Sequence, residues 1–172
     1  TVRLADFSNL TQPGSYRLQV GVTSSHEFDI DRNVYADVSR ASVKAFYFHR
    51  AGVALDEKYA GVYARTAGHP DTAVFIHASS ASASRPEGSM ISSPKGWYDA
   101  GDYGKYIVNS AMTVSTMMSV FEHYPEKAEM LQTNIPESGD ETPDILDEIR
   151  WNLDWMLTMQ DPEDGGVYHK LT

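Results

Sequence analysis

A chain of 172 residues with 41 % hydrophobic content can build one ordinary core and a small appendage. Its net charge of −10 argues against a nucleic-acid surface, because phosphate neutralisation needs clustered Lys and Arg, and equally against an anionic membrane surface. A neutral polymer such as a polysaccharide meets no such objection, and the absence of cysteine excludes disulfides and thiolate zinc sites.

No stretch approaches the ~18 consecutive apolar residues of a membrane span, and no signal peptide leads the chain. Thr1 in place of Met points to a processed or trimmed start, which leaves secretion open. The first thirty or so residues read as β. "YRLQV" and "HEFDI" alternate polar and apolar residues around "GVTSS", the pattern of a hairpin. A piece this short cannot close a sandwich alone. From Asn33 the period changes: Val34, Val38, Ala41, Ala45 and Phe48 fall at helical spacing and Gly52 supplies a stop, so a helix is expected over 34–51.

A long irregular stretch follows, with "AGHPDT" and "HASSASASRPEGS", the kind of loop that is functional or disordered. A second helix is expected over 104–123, ended by Pro125. It is apolar on nearly every side, through Ile107, Val108, Met112, Val114, Met117, Met118 and Phe121, and so should be buried all round. The third helix has Thr142 as cap, Pro143 at its first position and Asp144, Asp147 and Glu148 facing the positive end of the dipole. Leu146, Ile149, Leu153 and Met156 form its buried stripe, at least one of Trp151 and Trp155 should be core, and the helix stops near Gln160. Two helices and a hairpin are too few partners for so apolar a second helix, and an incomplete domain is expected.

Ahead of that helix stands "KGWYDAGDYGKY", Lys95 to Tyr106. Asp99 and Asp102 flank two small residues that let the backbone turn tightly and bring both carboxylates to one side. One carboxylate could take a proton from water while the other holds that water in line. Trp97, Tyr98, Tyr103 and Tyr106 would suit flat sugar rings, which take a stacking face and hydroxyl partners. On spacing alone three readings stay open: a helix cap with core aromatics, a calcium ligand pair, and a catalytic pair. The spacing is too short for a complete calcium loop.

"GWYDAGDYGKY" resembles the signature of glycoside hydrolase family 9, the inverting cellulase and endoglucanase family. The similarity continues through "VSRASVKAFYFHRAG", "YARTAGHPDTAVFIH", "IPESGDETPDILDEIRWNLDWMLTMQ" and "GGVYHK", and covers about residues 33–172. The resemblance implies a mainly α fold: residues 33–172 as the N-terminal, incomplete part of an (α/α)6 barrel, and residues 1–32 as the last strands of an immunoglobulin-like β domain. It also implies Asp102 as general base and Asp99 as the acid that positions the attacking water, with His169, Tyr103 and Trp97 as sugar contacts. The general acid of the family lies beyond residue 172, so the isolated 172-residue chain should be inactive. Glu137 and Glu141 in "PESGDE" read as solvated turn residues or a helix-start acid, and His49 and His123 as structural or exposed. Some members bind zinc through Cys-His pairs. Here Gly68-His69 stands in that place, and His69 with His77 cannot make a closed four-ligand site, so no metal and no cofactor are expected, calcium in the missing part of the barrel excepted.

The function implied is hydrolysis of β-1,4-glucan with endo action favoured, by a secreted protein, extracellular or periplasmic, where large glucans are met. The partner is a β-glucan polysaccharide or oligosaccharide, with no nucleic acid and no membrane. The alternatives are an exo-acting glucosidase or glucosaminidase of the same family, and a non-catalytic carbohydrate-binding protein.

Overall fold

The computed structural model describes residue 2 and residues 4–172; the processed start expected at Thr1 lies outside them. The chain divides into two compact units, residues 1–39 and 40–172.

The first unit is a long hairpin. β1 (Gly14–Tyr16) pairs antiparallel with β4 (Phe28–Ile30), and nested within them β2 (Gln19–Val20) pairs with β3 (Thr23–Ser24). Gly21, at the inner turn, takes φ 61°, a left-handed conformation that suits glycine. The two expected strands are thus present but interrupted, because the Leu18 N–H turns to the Ser25 hydroxyl at 3.0 Å instead of continuing a ladder. Phe28 carries the side-chain packing, 5.3 Å from the Phe7 ring and 6.3 Å from Tyr16.

α1 spans Ala36–Phe48, shorter at both ends than its periodicity suggests. At its C-terminus the His49 and Arg50 N–H groups reach back three residues, to Phe46 and Tyr47, and Gly52 at φ 78° stops the chain as anticipated. The irregular stretch contains α2 (Glu57–Ala60) and two further strands, β5 (Val74–Phe75) and β6 (Met90–Ile91), paired with each other. Then come β7 (Lys105–Tyr106), α3 (Ile107–His123), α4 (Pro125–Glu129), α5 (Asp144–Thr158) and β8 (Lys170–Leu171). Pro125 ends α3 and also opens α4, at a position where its missing N–H costs nothing.

α3 packs on α5. Val114 and Met117 meet Ile145 and Ile149 in a core that also takes Trp97 and Ala128, with Val43 and Phe46 of α1 against it. A second cluster joins Tyr47, Leu55, Ala60 and Ile135, and a third joins Trp155, Met159 and Leu171. Trp155 is the core tryptophan of the pair on α5. Two expectations need correction. α3 is not buried all round: Val108 and Met112 are exposed, Met112 at 68 %, because among the described residues nothing covers that face. The acids at the start of α5 do stand where the dipole favours them, Asp144 and Asp147 in its first turn, and they face the core as well. Asp144, Asp147 and Glu148 are buried, and Asp144 Oδ2 accepts the Thr133 N–H, the Thr133 hydroxyl and the Ser138 hydroxyl at 2.5, 2.8 and 2.7 Å, stitching the 133–138 loop to the helix. Thr142 makes no cap; Pro143 holds that position with extended backbone. No described helix is long and apolar enough to cross a membrane.

Candidate active site

The segment leading into the acidic loop is held from two sides. The Gly96 carbonyl accepts the Ala51 N–H, and the Tyr98 N–H donates to the His49 carbonyl, so the end of α1 lies along it. On the other side the Trp97 N–H donates to Asn152 Oδ1, and the Trp151 indole donates to the Gly96 carbonyl. Gly96 is there of necessity: φ is 82°, and a Cβ would lie 2.7 Å from the buried Trp155 ring. Trp97 is only 5 % exposed. Its ring lies 4.7 Å from Phe46 and its indole donates to Glu148 Oε2 at 3.3 Å, so the structure places it beneath the loop rather than on the surface.

Asp99 through Gly104 then form a closed loop. The Asp99 N–H reaches the Gly104 carbonyl at 2.8 Å, and inside that ring the Tyr103 N–H reaches the Ala100 carbonyl at 3.1 Å. This turn puts Gly101 and Asp102 at its corners. Gly101 faces open space, and the residue that adopts the left-handed conformation is Tyr103, with φ 61°. Non-glycine residues held this way cost of order 1 kcal/mol and gather at functional sites. Gly104 is also tightly placed, since a Cβ there would come to 3.0 Å from the Tyr106 ring. Both carboxylates are exposed. Asp99 Oδ1 accepts from the Asn109 amide at 2.6 Å and Asp102 Oδ1 from the Gly104 N–H at 3.2 Å. Each is oriented through one oxygen, and no described hydrogen bond occupies the other.

Tyr103 is half exposed and stacks on His69, ring centroids 4.4 Å apart at 25°, with Tyr98 edge-on to it at 5.1 Å. His169 arrives from the far end of the chain. β7 pairs with β8 in the register Lys105↔Leu171 and Tyr106↔Lys170, the Ile107 N–H donates to the His169 carbonyl, and the His169 ring lies edge-on to Tyr106 at 6.3 Å. The strand pair therefore sets His169 beside the segment that carries Asp99, Asp102 and Tyr103. His169 also borders a cavity of about 300 Å³ with Asp161, Asp164 and Tyr168. Asp99 borders a smaller one of about 160 Å³ with Phe46, His49, Asn109 and Thr113.

Asn109 is a site residue that the sequence reading does not pick out, its only signal being a place near the start of α3 beside the loop. His49, read as structural or exposed, is exposed and borders the smaller cavity. Glu137 is a correction. It is not a solvated turn residue but an ion-pair partner of buried Arg50, whose Nη1 lies 2.9 Å from Glu137 Oε1. Arg50 also meets Glu148, Nε to Oε2 at 3.2 Å, while Nη2 and Oε1 are 3.1 Å apart but out of line for a hydrogen bond. Burial pushes the Glu148 carboxyl up to about 7 against the pull of Arg50 and the Trp97 indole, and burial, aided by Asp140 and Glu137, pushes Asp147 up to about 6. Lys105 is likewise buried, which lowers its pKa against the opposing hold of Asp71. Among the described residues no three His, Asp or Glu side chains are grouped as a metal site requires, and His77 bonds Ser79.

The pattern of glycosyl hydrolase family 9 matches residues 35–171. The chain is 53 % identical over 167 residues to a xyloglucan-specific endo-beta-1,4-glucanase of Bacteroides ovatus, covering 97 % of this chain and 28 % of that protein. It is 37 % identical over 175 residues to endoglucanase D of Acetivibrio thermocellus, covering all of this chain and 27 % of the relative. A solved Bacteroides ovatus GH9 structure superposes with a TM-score of 0.90 at 52 % identity, over 98 % of this chain and 30 % of that one. The chain spans less than a third of the length of the relatives it matches.

Proposed function

This chain belongs to glycosyl hydrolase family 9, and we propose that it carries the water-activating half of an inverting, endo-acting β-1,4-glucan hydrolase. The Asp99–Gly104 loop is the observation that carries the reading: two exposed carboxylates on one closed turn, each fixed through one oxygen. Asp102 takes a proton from water as the water oxygen bonds to the anomeric carbon. Asp99 holds that water in line, the bond to the leaving sugar oxygen breaks, and a second, protonated carboxyl group ~6.5–9.5 Å from the base supplies that oxygen's proton. No carboxyl group of this chain takes the acid's part, so the 172 residues alone are expected to be inactive. Tyr103 and His169 contact the sugar, and Trp97 supports the loop from below.

In this reading residues 33–172 belong to an (α/α)6 barrel and residues 1–32 are strands of an immunoglobulin-like domain. The protein acts outside the cytoplasm or in the periplasm, where long glucans are met, and the reaction needs no cofactor. Because the relative sharing 53 % identity is named for xyloglucan, that polymer is the first substrate to try. The intact protein should lower the viscosity of xyloglucan well before reducing ends accumulate. Reducing sugar released with no early viscosity loss would mean exo action.

A further inference from the structure

The chain that leaves the Asp99–Gly104 loop enters the core at its next residue. Lys105 is fully buried: its ammonium donates to the Lys95 carbonyl at 2.7 Å and the Ser93 carbonyl at 3.0 Å, and forms an ion pair with Asp71, Nζ to Oδ2 at 2.7 Å. The ammonium also sits 5.3 Å from the centre of the Trp155 ring. The Asp71 carbonyl in turn accepts the Ser93 N–H at 2.7 Å, so Asp71 is tied to the same segment by both its side chain and its backbone. A well-packed apolar residue commonly serves a core as well as a buried ion pair does. The charge therefore calls for a reason besides packing.

Its place in the chain supplies one. The Lys95 carbonyl belongs to the irregular segment entering the loop and Lys105 to β7, which leaves it, so the ammonium staples the base of the loop. One residue away, the Gly104 N–H holds Asp102 Oδ1 and the Gly104 carbonyl holds the Asp99 N–H. We infer that Lys105 and Asp71 are a positioning pair for Asp99 and Asp102, fixing the Gly104 peptides that orient the Asp102 carboxylate and hold the Asp99 backbone, while Asn109 orients the Asp99 carboxylate itself. The inference rests on the roles proposed above for those two acids.

Three variants of the intact protein test it: Lys105→Met, Asp71→Asn and, alongside, Asp102→Asn. kcat and KM are measured on a soluble glucan, and the folded fraction by circular dichroism at the assay temperature. The expected result is a folded Lys105→Met protein whose kcat falls by about 10- to 100-fold, because a shift of about an ångström at the reacting groups has effects of that size. KM should change by less than about threefold, since the sugar contacts are untouched. Asp71→Asn keeps the volume and an acceptor oxygen, should show the same pattern at smaller size, and carries the test if Lys105→Met does not fold. Wild-type kcat in a folded variant overturns the inference. So does a kcat that falls only with the folded fraction, a raised KM at unchanged kcat, or loss of fold in both variants, which would make the pair a stability element. Turnover retained by Asp102→Asn would instead sink the base assignment, whatever Lys105 does.

Discussion

Asp102→Asn in the intact protein should lower kcat by at least ~10²-fold with little change in KM. Asn has the shape of Asp and keeps an oxygen for the Gly104 N–H, so the turn that places residue 102 survives the change. What it loses is the ability to take a proton from water. The substitution therefore separates chemistry from architecture more cleanly than Ala would. A protein that only binds carbohydrate would keep its sugar affinity and any turnover unchanged. Steady-state kinetics on a soluble glucan, with oligosaccharide affinity measured by calorimetry on the same variant, decides between the two.

The largest expected effect on stability is at Arg50. Its guanidinium is buried between Glu137 and Glu148 and lies 4.6 Å from the Trp151 ring and 5.3 Å from Tyr47. Arg50→Met retains much of the packing but leaves Glu148, with a fully buried side chain, without its cation. Breaking one partner of a buried pair costs about 3–5 kcal/mol, and a loss of that order is expected here. The loss should depend on pH. A carboxyl group whose folded pKa lies above its unfolded value binds its proton more tightly in the folded state. Its contribution to stability is then lost as pH rises from the unfolded value of 4.5 through the folded value of about 7. Without Arg50 the folded value moves higher still, so the gap between wild type and variant should widen above pH 7. Thermal unfolding of both proteins at pH 5 and pH 8 reads this directly. A gap that is small, or equal at the two pH values, would mean that Glu148 finds another partner.

These buried charges mark where sequence reading stops. The period of α5, the turn residues of the N-terminal hairpin and the Pro125 boundary are local signals, and local signals survive into the fold. The acidic pair was legible for the same reason, as a short motif on one turn. Arg50, Glu137, Glu148, Lys105 and Asp71 were not. A charged residue reads as solvated until a partner is known, and Arg50 meets Glu148 from 98 positions away. Asp144 and Asp147 show the same ambiguity within one helix, where the first-turn position that suits a dipole also faces the core. The loop held a subtler case. Three glycines surround the acids, yet the left-handed turn residue is Tyr103, Gly96 is needed for close approach to Trp155, and Gly104 lies tightly against Tyr106. Trp97 reads from sequence as a sugar platform, but hydrogen bonds to Asn152 and Glu148 on α5 draw it into the core.

The central claim is that the Asp99–Gly104 loop activates water for a single displacement at the anomeric carbon. The most direct measurement is proton NMR of the first product released from a cello-oligosaccharide by the intact protein, before mutarotation. A single displacement inverts the β linkage, so the α-anomer should appear first and the β signal grow in later. A β-anomer appearing first would show retention through a covalent intermediate, and Asp102 could not then be the base that this account makes it.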